Sequence, residues 1–169
     1  IPEGVVAPFR DAFYGWPANK FVSQVGSTSD AFLYYFDQGP QWAEEADMRA
    51  FHGSELLSVF NNEKHNDKGF RNWPVYTPRK VDIAMAELMS SYWVSFAKNG
   101  DPNVSGLTQW QPYTEQAKDC MHFYKGIAEL GKEWHQDAID LHEKIISKRK
   151  VEGSMPWTFG YLGLHSPRE

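Results

Sequence analysis

Six consecutive residues, Ala31-Phe32-Leu33-Tyr34-Tyr35-Phe36, constrain this chain more than any other stretch. They lie between the loop Gly26-Ser27-Thr28-Ser29-Asp30 and the turn-prone Asp37-Gln38-Gly39-Pro40. A short run that does not alternate apolar with polar reads as a β-strand covered on both faces. Such a strand needs neighbours, yet the only other short candidate is Cys120 to Tyr124. The 169 residues suffice for a core. The seven Trp, eight Tyr and eleven Phe need either a packed interior or a partner surface to cover them. The expectation is a sheet whose other strands are not among these residues.

The rest reads mainly as helix and loop. A short helix is expected around Asp11 to Val25, interrupted near Trp16-Pro17, because proline lacks the N–H that a helix interior uses. Residues 39 to 56 form a polar connection, and 61 to 76, rich in Asn, Lys and Asp, a surface loop. A helix is expected to start at Thr77-Pro78, with Thr77 as cap and Pro78 in the first position. Val81, Met85, Leu88, Tyr92 and Phe96 would share its apolar face, and Gly100 would end it in a left-handed conformation. A long helix is expected from about Ala128 to Lys148, with Ile127, Leu130, Trp134, Ala138, Leu141 and Ile145 as its stripe. Residues 1 to 150 read as one body, and 151 to 169 as an irregular tail.

Several function classes fall away at this point. The net charge of −5 and the lack of a basic stripe argue against nucleic acid as a partner. No run of about 18 apolar residues is present, so no membrane span is expected. The start at Ile1-Pro2, rather than Met, suggests a processed product or the later part of a longer chain. The single Cys120 cannot form an internal disulfide. Asn103-Val104-Ser105 is a glycosylation candidate and leans the chain towards the secretory route. His135 and His142 lie seven apart with Asp137 and Asp140 nearby, whereas helical metal motifs place two histidines four apart. They read as a solvated face, and His65 as exposed.

One histidine stands out. His52 follows the strand and its connection and is flanked by Phe51 and Gly53. In a Ser-acid-His triad the histidine takes the serine's proton and returns it to the leaving group. In one large class of α/β enzymes it comes last in chain order. The strand from Ala31 followed by His52-Gly53-Ser54-Glu55-Leu56 resembles the strand and H-G-x-E-L segment of type-B carboxylesterases, the cholinesterase-like α/β-hydrolases. Tyr92-Trp93-Val94-Ser95-Phe96-Ala97-Lys98-Asn99-Gly100-Asp101-Pro102-Asn103 resembles that family's Y-W-x-x-F-A-x-x-G-x-P-N passage. Trp110-Gln111-Pro112-Tyr113-Thr114 is similar to its W-P-x-Y-T passage.

The resemblance implies an α/β fold, with this chain as the C-terminal portion of an α/β-hydrolase completing a sheet begun elsewhere. It implies His52 as triad histidine, Gly53 as the residue that permits a tight turn, and Glu55 as a buried supporting group. The family's G-x-S-x-G nucleophile elbow does not occur in these residues, nor do its oxyanion glycines or its acid-bearing passage. They are therefore expected on an N-terminal chain or segment, the partner in an esterase that takes a small-molecule ester and needs no cofactor or metal. The alternative is a non-catalytic cholinesterase-like domain that binds a protein partner. A third reading is an independent α-rich module.

Overall fold

The computed structural model describes residues 3–64, 74–132 and 135–152. In chain order the elements are α1 (Glu3–Arg10), a π-helical turn (Asp11–Gly15), α2 (Trp16–Gly26), β1 (Tyr34–Phe36), α3 (Gln41–Glu45), α4 (Leu56–Val59), α5 (Lys80–Asn99), β2 (Asp119–Tyr124), β3 (Ile127–Lys132) and α6 (Gln136–Glu152). They fall into two compact units, Ile1–Phe21 with His135–Glu169, and Val22–Trp134. No described helix is long and apolar enough to cross a membrane.

The first unit is helical. The expected break at Trp16-Pro17 is absent, and the helix widens just before it instead. The Trp16 N–H bonds to the Asp11 carbonyl five residues back, and α2 carries on through Pro17. A π turn shifts the bonding pattern where proline has no N–H to offer, so the chain stays helical. Trp16 Nε1 and Lys20 Nζ each donate to the Glu143 carboxylate of α6, at 2.9 and 3.1 Å. Among the α6 residues whose burial is described, the buried ones are Ile139 and Ile146, one heptad apart. Leu141 and Ile145 of the expected stripe are exposed. That stripe was set by a start at Ala128, and residues 127 to 132 are a strand. Trp134 and His65 lie outside the described residues, as does the expected tail beyond Glu152.

The second unit holds a three-stranded sheet in the order β1-β2-β3. β1 runs parallel to β2, with Tyr34 opposite Met121 and Phe36 opposite Phe123. β2 and β3 form an antiparallel hairpin. Its two-residue turn, Lys125-Gly126, has both φ angles positive, +47° and +77°. That is the twist two-residue hairpins need, and glycine adopts it freely. Cys120 to Tyr124 is a strand, as its sequence indicates, whereas β3 replaces the first turns of the expected long helix. The expected Ala31–Phe36 strand is trimmed to three residues. Its side chains are half-buried rather than covered on both faces.

The core lies between one face of the sheet and α5. Met85, Met89 and Tyr92 of α5 pack with Trp110, Met121 and Phe123, and Phe32, Tyr34 and Phe36 lean on them at alternate positions. Helix α5 starts at Lys80, not Thr77. Its N-cap is Arg79, and Asp82 in the first turn accepts the Arg79 backbone N–H at 2.8 Å. A carboxylate here satisfies one of the amides that a helix start leaves open, so Asp82 fixes the boundary in place of Thr77. The buried face of α5 is Asp82, Met85, Ala86, Met89 and Tyr92, and Phe96 from the expected stripe is exposed. Gly100 ends the helix at φ +74°, as its sequence indicates.

Candidate active site

The route from β1 to His52 is held by buried polar groups. Gly39 sits against the far end of its own connection: a Cβ there would lie 2.5 Å from the Arg49 carbonyl oxygen, so only glycine fits. Arg79 fastens the same stretch. Its guanidinium donates to the Gly39 carbonyl at 2.9 Å and to Glu44 Oε2 at 2.6 Å. It also donates to both Asp82 oxygens, at 2.7 and 2.9 Å. Asp82, only 2% exposed, also receives Gln38 Nε2 at 3.0 Å. The Gln38 oxygen takes the Gly126 N–H at 2.8 Å. The Asp82 pairing holds the Arg79 guanidinium above its already high ordinary pKa. A buried carboxylate needs such full pairing, because leaving it partly satisfied would be costly.

His52 itself is exposed, in the tight turn of residues 52–55. The Ser54 N–H donates to the Phe51 carbonyl at 2.9 Å. The Phe51 N–H donates to Ser54 Oγ at 3.1 Å. These reciprocal bonds close the turn around the imidazole. Gly53 has φ +84°, in the left-handed region that a side chain strains. The tight turn expected at Gly53 is therefore present. A histidine on a closed, glycine-hinged turn has a fixed backbone and a solvent-facing ring, which suits proton exchange with a group brought to it.

Glu55 begins the next element, its carbonyl receiving the Val59 N–H at 2.9 Å. It is half-buried rather than buried. Its charge is felt at Tyr34 on β1, whose hydroxyl is pushed up to about 12, first by burial and then by Glu55.

Beyond α4 lies a cluster that sequence reasoning missed. Glu63, expected in a surface loop, is buried. Ser58 Oγ donates to Glu63 Oε1 at 3.3 Å and the Tyr76 hydroxyl to Oε2 at 2.8 Å. In Asn61-Asn62-Glu63-Lys64 nothing marks one polar residue as internal. Burial, then the Asp82 charge, hold the Glu63 carboxyl above its ordinary value, against the Tyr76 and Ser58 hydrogen bonds and the Arg79 charge. A raised carboxyl favours the protonated folded state. Its stability contribution is full below the ordinary value of 4.5 and is lost as pH rises through the raised folded value. Glu63→Gln keeps a neutral hydrogen-bonding side chain. Its melting temperature should therefore rise relative to wild type as pH increases from 4.5 upward. Thermal melts across that range check this, and a difference independent of pH would remove Glu63 as the source.

The remaining candidates belong to other elements. Asn103 is in the loop after α5, half-buried and fully hydrogen-bonded. Cys120 is a buried thiol on β2. His142 lies within α6 and His135 just before it. Among the described residues no three His, Cys, Asp or Glu side chains gather as a metal ion would need.

Comparison with known proteins places this arrangement. Residues 2–141 match the model of the family described as "Carboxylesterase family". The chain is 27% identical over 122 residues to the cocaine esterase of Homo sapiens, covering 68% of this chain and 21% of that protein. To the bile salt-activated lipase of Rattus norvegicus it is 29% identical over 133 residues, covering 77% and 18%. The chain thus spans about a fifth of the length of these relatives. Among solved structures, a PNB esterase superposes with a TM-score of 0.64 at 21% identity, over 78% of this chain and 25% of that one. An esterase from Clostridium hathewayi gives 0.62 at 20% identity, over 82% and 28%. These likenesses show the fold: the sheet and helices have the arrangement of part of an α/β-hydrolase fold.

Proposed function

Because this chain belongs to the carboxylesterase family, we propose that it contributes the catalytic histidine, His52, to a serine esterase. The serine nucleophile and the triad acid come from an N-terminal portion outside these 169 residues. The serine oxygen attacks the ester carbonyl while His52 takes its proton. His52 then protonates the departing alcohol, leaving an acyl-enzyme. Water, deprotonated by His52, releases the acid and restores the serine. Glu55, the last residue of the histidine turn, helps to hold that turn in place. No metal or organic cofactor takes part in these steps.

The observation that carries this reading is the turn itself. His52 is presented to solvent by Gly53 at φ +84° and by the Phe51–Ser54 bonds, inside the segment that matches the family. The missing G-x-S-x-G and the exposed apolar residues on either side of the histidine, Met48, Leu56 and Phe60, support a second portion that supplies the nucleophile and covers them.

A fluorophosphonate probe, which reacts with an activated serine, tests this on the whole protein. The expected label maps by peptide mass to a G-x-S-x-G serine outside residues 1–169. Label on a serine within these residues, or no label on folded protein, would sink the reading.

A further inference from the structure

The tripeptide Asn103-Val104-Ser105 has the form of a glycan acceptor, yet its asparagine is already engaged on every side. Asn103 Nδ2 donates to Asp101 Oδ1 at 2.7 Å and to the Trp110 carbonyl at 3.0 Å. Asn103 Oδ1 accepts the Trp110 N–H at 2.7 Å. Both amide hydrogens and the carbonyl oxygen are thus committed. The Asn103 backbone N–H also donates to Asp101 Oδ1, at 2.9 Å. From α5, Ser95 Oγ is 2.9 Å from the Asp101 carbonyl and 3.1 Å from the Asn103 carbonyl, which share its hydroxyl hydrogen. The carboxamide therefore stands in for a missing piece of backbone, tying the end of α5 to Trp110 across the intervening loop.

We propose that Asn103 is a loop clamp whose folded geometry excludes glycan transfer, so that this acceptor site is open only before the 101–110 loop closes. The chemistry makes the two states exclusive. Transfer from a lipid-linked pyrophosphate donor forms a bond between Nδ2 and the anomeric carbon of the first sugar. One amide hydrogen leaves as a proton, and the lipid pyrophosphate is the leaving group. Nδ2 then keeps one hydrogen, so either Asp101 or the Trp110 carbonyl loses its donor. The sugar ring must also occupy a place that now holds an acceptor 2.7 or 3.0 Å away. Loss of the clamp would reach further, because Trp110 Nε1 donates to the Leu33 carbonyl, which leads into β1, at 3.1 Å. None of this depends on the ester chemistry.

The test expresses the whole protein through a eukaryotic secretory pathway as wild type, Ser105→Ala and Asn103→Gln. Ser105 is exposed, so Ser105→Ala erases the acceptor pattern and leaves the clamp. Its melting temperature should stay within about 1 °C of wild type. Asn103→Gln lengthens the side chain and breaks the clamp, and should melt lower by at least about 4 °C. Peptide mass mapping of the folded, monodisperse wild type should find Asn103 unmodified. A glycan on Asn103 in that fraction overturns the proposal, as does a Ser105→Ala loss equal to that of Asn103→Gln. If Asn103→Gln does not fold, the mass map and Ser105→Ala still decide.

Discussion

Replacing His52 by alanine in the whole enzyme should lower kcat for a short-chain ester on the order of 10⁴-fold or more, with little change in KM. The imidazole is the only group in this chain assigned to move a proton, and each half of the reaction needs it twice. Triad members act as a unit, so losing one removes most of what the set provides. The same substitution should leave folding untouched. The side chain is exposed, and the Phe51–Ser54 bonds that close the turn stay in place with alanine. Exposed substitutions of this kind cost at most about 0.5 kcal/mol. Steady-state kinetics and a thermal melt on the same sample check both halves. Turnover near wild type would remove His52 from the mechanism, and a large fall in melting temperature would make it structural.

The largest effect on stability should come from Trp110→Ala, at about 3–5 kcal/mol. Trp110 is 4% exposed and meets the rings of Phe32, Tyr34, Tyr92, Trp93 and Phe123 at centroid separations of 5.6 to 6.2 Å. Four of these five contacts are edge-on and the fifth is tilted, geometries in which aromatic quadrupoles attract. Its indole N–H holds the Leu33 carbonyl and its backbone is held by Asn103. Alanine would therefore leave a cavity, and the Leu33 carbonyl would keep only the Met121 N–H, at 2.9 Å. Denaturant unfolding monitored by circular dichroism checks the size. A loss below about 1 kcal/mol would mean that the ring cluster does not organise the core.

The features that came through in the sequence were those set by local chemistry. The strand at Cys120, the body of α5 and its glycine stop follow from short-range patterns. His52 with Gly53 was found because the turn lies inside motifs that resemble a family. The errors arose where long-range contacts override local preference. Asp82 and Arg79 moved the start of α5 past Thr77-Pro78, since their ion pair ties the helix to Gly39, Glu44 and Gln38, all remote in sequence. Ile127 and Leu130 fit a helical spacing but pair with β2, and the signal overlooked was Lys125-Gly126. Glu63 looked like solvent-facing loop because its partners, Ser58 and Tyr76, carry no pattern that ties them to it.

The sheet joins two very different kinds of neighbour. β2 and β3 are separated by two residues, and such hairpins close in about 1–10 μs. β1 must instead find β2 across α3, α4 and all of α5. Closing so long a loop costs entropy before any contact repays it. The hairpin, with α5 packed on it, is thus able to form early as a local nucleus. The strand leading to the histidine turn, whose Leu33 carbonyl takes bonds from both Met121 and Trp110, has the longer loop to close. The part of the chain that carries the candidate chemistry accordingly hangs on the longest loop closure in the sheet.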